Sequence, residues 1–164
     1  MRTNTGKEAG NMKYFIYTTV KDREGETIAD GTELITALDY IRADELQDVE
    51  FIADDLEPGT AKLILAGRNK GRIAEVTIAE PEAGREGMHP YDIATRIFWH
   101  NKEMTKGQEV SFIELLGYIK LHRYEIIEKT RGNLTENVIT FYNCFAGREN
   151  RRNRIEATIT KLEY

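Results

Sequence analysis

Cysteine occurs once in this 164-residue chain, at Cys144, tryptophan once, at Trp99, and proline only three times. One cysteine excludes an internal disulfide and a cysteine-rich zinc site. No apolar run approaches the about 18 residues that cross a membrane. The first eleven residues, "MRTNTGKEAGN", contain no apolar stretch, so no secretory signal is read there. "NLT" at Asn133 then carries no meaning as a glycosylation acceptor. The expectation is a cytoplasmic protein in its host cell, with no membrane partner. Also missing are GxGxxG, a Walker sequence, GxSxG and HExxH. With no visible pair of nucleophile and general base, no enzyme, catalytic residue or cofactor is expected.

What is present is an ordinary globular composition, 40% apolar and 31% charged. Residues 1–11 read as a flexible polar tail and 12–164 as a single α+β domain. "YFIYTTV" (14–20) reads as a strand that returns through a turn at "DREGE". Leu34, Leu38 and Ile41, beside Ile35, give a helical face capped by Thr32. Strands follow at 49–53, 60–66 and 72–80, the last two joined by "GRNKG". Pro90 then suits the start of a second helix, with Ile93, Ala94, Ile97 and Phe98 on one face. Ser111 and Glu114 form a capping box for a third helix, with Val110 and Leu115 as its staple. That helix is expected to run to Thr130 and to be capped by Gly132. Strands at 137–145 and 154–162 close the chain as a hairpin around residues 146–153. The sum is six or seven strands and about three helices, with hairpins dominating. It predicts α+β with a largely antiparallel sheet.

Charge is unevenly placed. From Asp30 to Glu57 ten acids face only Arg42, so 28 residues carry −9 in a chain of net charge −5. Such a stretch is a solvated helix face with its loops, or a face that meets a basic partner. The adjacent Asp54 and Asp55 are too little for a metal site, and no metal is expected. His89, His100 and His122 are scattered and read as surface or satisfied histidines. Cys144 reads as a small core residue.

Two basic stretches begin alike. "AGRNKGR" (66–72) supplies Arg68, Asn69, Lys70 and Arg72, and "AGRENRRNR" (146–154) supplies Arg148, Arg151, Arg152 and Arg154 around Glu149. Both read as exposed hairpin tips, yet a turn requires Gly, Asn or Asp and does not require this many arginines. Arginine forks fit phosphate bidentately, and glycine turns can aim N–H groups at an anion. The surplus therefore points either to phosphate or to the acidic helix of a neighbouring subunit. "FWHNK" (98–102) places Phe98, Trp99 and Asn101 within reach of such a site, and "YNCF" (142–145) feeds the second arginine stretch. A ring beside guanidinium groups is what a nucleobase with a phosphate needs. Trp99 taken alone reads first as a core anchor. Tyr118, Arg123, Tyr124 and Arg131 read as the outer side of the third helix, completing the candidate site.

On "FWHN" (98–101), "KTRGN" (129–133) and "AGRENRRNR", and on the order of its elements, the chain resembles phage anti-defence proteins of the Thoeris sponge type. The resemblance implies a homo-oligomer without catalysis. Cyclic ADP-ribose or a small cyclic oligonucleotide would lie between subunits, held by arginines, an asparagine and an aromatic ring. The expected function is thus sequestration of a nucleotide immune signal that counters bacterial defence. The alternative is an acidic, anti-CRISPR-like inhibitor whose 30–57 face occupies the groove of a basic host defence protein.

Overall fold

The computed structural model describes residues 11–41, 46–52, 59–67, 71–83, 86–104, 106, 110–131 and 136–162. The expected tail, Arg68 to Lys70, the Asp54–Asp55 pair and Gly132 lie outside the described residues. In chain order the elements are β1 (Asn11–Lys21), β2 (Thr27–Thr32), α1 (Leu34–Ile41), β3 (Leu46–Ile52), β4 (Thr60–Gly67) and β5 (Ile73–Ala79). After a 3-10 turn at Pro81–Ala83 come β6 (His89–Trp99), β7 (Lys102–Glu103), α2 (Phe112–Leu121), β8 (Tyr124–Arg131), β9 (Glu136–Phe145) and β10 (Arg148–Lys161).

The strands form one antiparallel sheet in the order β3-β4-β5-β1-β6-β10-β9-β8, with β2 added to β1 and β7 to β6. Its edge strands β3 and β8 come alongside each other, so the sheet curls toward a barrel. α1 packs on β1 and β5, and α2 on β3, β4, β6 and β8. Alternate residues of the strands turn inward: Tyr14, Ile16, Thr18 and Val20 of β1, then Tyr91, Ile93 and Thr95 of β6. One core cluster joins them to Leu34, Leu38 and Ile41 of α1 and to Phe112, Leu115, Leu116 and Ile119 of α2.

The α+β expectation holds broadly, but the described residues contain two helices, not three, and ten strands rather than six or seven. The stretch from Pro90 is β6. Its burial alternates from Tyr91 to Thr95, and it pairs with β1 on one side and β10 on the other. Ile93, Thr95 and Ile97 are β-branched and spaced by two. That pattern competes with a helical one, and two neighbouring strands decide in its favour. Pro90 is the second residue of the strand, near the strand end, and its carbonyl accepts from Leu162 N at 3.1 Å.

The third expected helix is real but ends at Leu121. His122 caps it, and Arg123 follows with φ 61, a left-handed residue that stops the helix and turns the chain into β8. Ser111 does cap its start, its Oγ accepting from Glu114 N at 3.4 Å. Thr32, by contrast, lies in β2 and does not cap α1.

Both helix starts also meet core tyrosines. Leu34 N donates to Tyr91 Oη at 2.7 Å, and Phe112 N donates to Tyr14 Oη. Tyr14 and Tyr91 face each other across β1 and β6, both fully buried. One cross-strand pair thus satisfies an orphan N–H of each helix. Tyr14 Oη donates onward to Ser111 Oγ at 3.3 Å, and Ser111 Oγ donates to Glu80 at 3.0 Å. Burial raises the pKa of Tyr14 and pushes that of Tyr91 up to about 12.

Candidate phosphate and base site

The second arginine stretch is not a hairpin tip. The β9–β10 turn is the two residues Ala146 and Gly147, with φ 55 and φ 77, and β10 already begins at Arg148. Left-handed angles at both central residues make a turn whose twist matches the flanking strands. Asn150 faces Asn143 and Arg154 faces Tyr142, so Arg151, Arg152 and Asn153 have no partners on β9 and form a bulge. The β6–β7 connection is built the same way, with His100 at φ 53 and Asn101 at φ 67.

The bulge docks onto that turn. Asn101 N donates to Arg152 O at 2.9 Å, and His100 N donates to Asn153 Oδ1 at 2.9 Å. Asn153 is therefore 4% exposed amid a polar run. Arg154 locks the join: it donates to Asn101 Oδ1 at 2.8 Å, to Arg151 O at 3.1 Å and to Glu156 at 2.9 Å. Its guanidinium also lies 4.1 Å from the Phe98 ring centroid, and Arg96 approaches the same ring at 5.0 Å. Phe98 is thus 8% exposed because arginines cover it. It is a platform for internal guanidinium groups rather than for a ligand.

Arg151 is engaged as well, with Nε on Glu149 at 3.0 Å, NH1 on Tyr142 Oη at 3.2 Å and the guanidinium over the Tyr142 ring at 4.5 Å. Arg148 and Arg152 remain. Both are exposed, and their guanidinium groups meet no carboxylate among the described residues. Arg123 joins this end of the sheet: Cys144 N donates to Arg123 O at 2.8 Å, and Asn143 Nδ2 donates to His122 O at 3.0 Å. Trp99 is 44% exposed here, not a core anchor, and edges against His100. Phe145, opposite Arg148, is 73% exposed.

The structure therefore brings together Trp99, Asn101, Arg123, Arg148, Arg151 and Arg152 at the end where Phe98 is buried, and separates Arg72 and Arg131 from them. Arg72 sits at the far end of β5, just beyond the pair Ile73 and Lys21, where its NH1 reaches Tyr40 O at 3.4 Å. Asn11, ten residues back along β1, is opposite Ala94, so more than about 30 Å of strand separates Arg72 from Trp99. Arg131 is opposite Asn137, at the other end of β8 from Arg123, about 20 Å along the strand. Tyr124 does not line an outer helix face. It lies in β8, 3% exposed, its phenol pKa raised by burial first and by neighbouring Tyr118 second.

Sequence reasoning missed Phe145 as a site residue and Asn153 as part of its frame, and grouped Arg154 with the basic cluster although its guanidinium is spent on the frame. The signal for the frame was short: "HN" at 100–101 and "AG" at 146–147 are two-residue turns that fix where each strand restarts. The histidines stay apart in the fold: His89 Nε2 sits 2.9 Å from Gly31 O, while His122 stacks near Tyr118. Among the described residues no three His, Cys, Asp or Glu side chains converge, and no helix is long and apolar enough to cross a membrane.

No family model, curated protein or solved structure matches this chain. The site must be read from its chemistry alone.

Proposed function

We propose that the protein binds a nucleotide without chemical turnover and acts by sequestering it. The carrying observation is the pair Arg148 and Arg152, exposed and without a carboxylate partner among the described residues, Arg152 in the bulge beside the strand end of exposed Trp99 and Arg148 where β10 leaves its turn. Free guanidinium groups fit phosphate, and an indole face takes a base. The internal bonds of Arg154 and Asn153 hold this frame in place before any ligand arrives, which lowers the entropy lost on binding. In the setting that the sponge resemblance implies, the ligand is an immune signal, cyclic ADP-ribose or a cyclic oligonucleotide, and the protein counters bacterial defence in the host cell. Assembly into a homo-oligomer would enclose the ligand between copies of this end.

The acidic reading has less behind it. Within the described part of 30–57, Asp30 accepts from Thr19 at 2.7 Å and Glu33 is paired with Lys161. Those charges are partly spent inside the molecule.

The deciding experiment is a thermal-shift panel of mononucleotides, cyclic nucleotides and cyclic ADP-ribose. A ligand at a hundred times its dissociation constant adds about 2.7 kcal/mol of stability. No shift with any nucleotide, together with loss of activity on charge reversal at Asp54 and Asp55, would transfer the function to the acidic face.

A further inference from the structure

The end that carries Arg148 and Arg152 presents its features twice. Arg152 sits where the bulge joins the β6–β7 turn, next to the strand end that carries Trp99. Arg148 is the register partner of Phe145 across the β9–β10 turn. Each free guanidinium thus has its own exposed ring, one indole and one phenyl. Trp99 and Phe145 stand on β6 and β9 with β10 between them. Two strand spacings across and a two-residue stagger along the strands put their backbones roughly 12 Å apart.

A mononucleotide has one base and can use one of these platforms. Bases stacked in a strand rise by only about 3.4 Å, so neighbours in a regular stack cannot reach both rings. Splayed bases can, which is how unpaired nucleotides are commonly held on aromatic side chains. Phe145 is also too open, at 73% exposed, to close a pocket around a compact ligand by itself. It is placed as a second stop for something longer.

From this we infer that the ligand carries two nucleobases joined through phosphate: an oligonucleotide, with one base on Trp99 and the next on Phe145, and phosphates on Arg152 and Arg148. The inference rests on the nucleotide-binding reading and narrows it, since cyclic ADP-ribose, with one base, would leave the Phe145 platform empty. The net charge of −5 does not oppose it, because Glu149 and Glu156 near the site are paired with Arg151 and Arg154. More distant acids are screened beyond a Debye length of about 8 Å.

The sole tryptophan makes the test site-specific. Trp99 fluorescence is followed while the intact protein is titrated with AMP, a linear dinucleotide, a cyclic dinucleotide and an oligothymidylate. The expected result is quenching with a dinucleotide affinity well above that of AMP. The stronger of the linear and cyclic forms identifies the source of the two-base chemistry. Phe145→Ala should weaken the dinucleotide on the order of tenfold or more and leave AMP unchanged. Phe145→Tyr should restore binding. For the oligothymidylate, a strand long enough to condense counterions, the slope of log K against log salt should be about −1.4 for two phosphates and fall to about −0.7 in Arg148→Ala. Equal affinity for AMP and dinucleotide, with Phe145→Ala silent, overturns the inference but leaves a one-base nucleotide site. Dissociation of a dimer by Phe145→Ala with unchanged nucleotide affinity makes Phe145 a subunit contact and overturns it too. No quenching and no binding with any probe removes the inference and the nucleotide reading together.

Discussion

The two "AGR" stretches are identical in letters and opposite in use. At Gly67 the backbone angle is not left-handed, but an added Cβ would sit 2.7 Å from Ile41 O at the end of α1. That glycine is there for space. Gly147 has φ 77 and nothing within 4 Å of where a Cβ would stand, so it is there for conformation. The residues that follow differ in the same way. Arg72 leans onto the backbone of α1 through Tyr40 O, whereas Arg148 and Arg152 are exposed and meet no carboxylate among the described residues. One glycine makes room for the end of α1, and the other sets a left-handed turn. A shared tripeptide says little until the neighbour of each glycine is known.

The sharpest way to break this comparison is to remove the free cations. Arg148→Ala with Arg152→Ala should lower nucleotide affinity well over tenfold, because charged hydrogen bonds contribute roughly 1.5–3 kcal/mol each. Arg72→Ala should leave that affinity unchanged. Calorimetric titration of both variants checks the pair, and equal losses would mean that the two ends serve one site.

Next in size is the glycine contrast. Gly67→Ala should destabilise by about 1–3 kcal/mol, since a methyl pressed against a backbone carbonyl forces α1 to shift. Gly147→Ala should cost about 1–2 kcal/mol, the penalty of a left-handed Cβ with no clash. Urea denaturation of the two variants ranks them, and the reverse order would show that the α1 contact is slack.

Smaller again is Ser111→Ala, at about 1 kcal/mol from the lost cap. The pH profile tests the tyrosine pair beneath it. Tyr91 has a folded pKa of about 12 against an ordinary value of 10, so the neutral form is favoured in the native state. Its contribution is whole below pH 10 and is lost as pH rises through 12. Denaturation midpoints measured from pH 8 to 12 should fall over that window, and Tyr91→Phe should flatten the fall.

Much of this was legible in the letters. The strands expected at 60–66 and 72–80 are β4 and β5, and Ser111 with Glu114 found the start of α2. The misreadings share a cause. Ile93, Ala94, Ile97 and Phe98 satisfy a helical spacing as well as a strand, and only pairing with β1 and β10 decides between them. Tyr124 to Arg131 continues without a proline or glycine after α2, so nothing local marks the break that Arg123 makes with its left-handed angle. The candidate site was half visible. Composition flagged the arginines, but which of them are spent on Glu149, Tyr142, Phe98 and Asn101 depends on a bulge that no spacing rule announces.

The central claim is that the Trp99 end, with Arg148 and Arg152 free, is where a nucleotide binds. Titration of the intact protein with nucleotides while the emission of its single tryptophan is recorded tests that claim most directly. The account predicts saturable quenching that Arg148→Ala with Arg152→Ala abolishes and Arg72→Ala preserves. Tight nucleotide binding that leaves Trp99 emission unchanged and survives the Arg148 and Arg152 changes would contradict it.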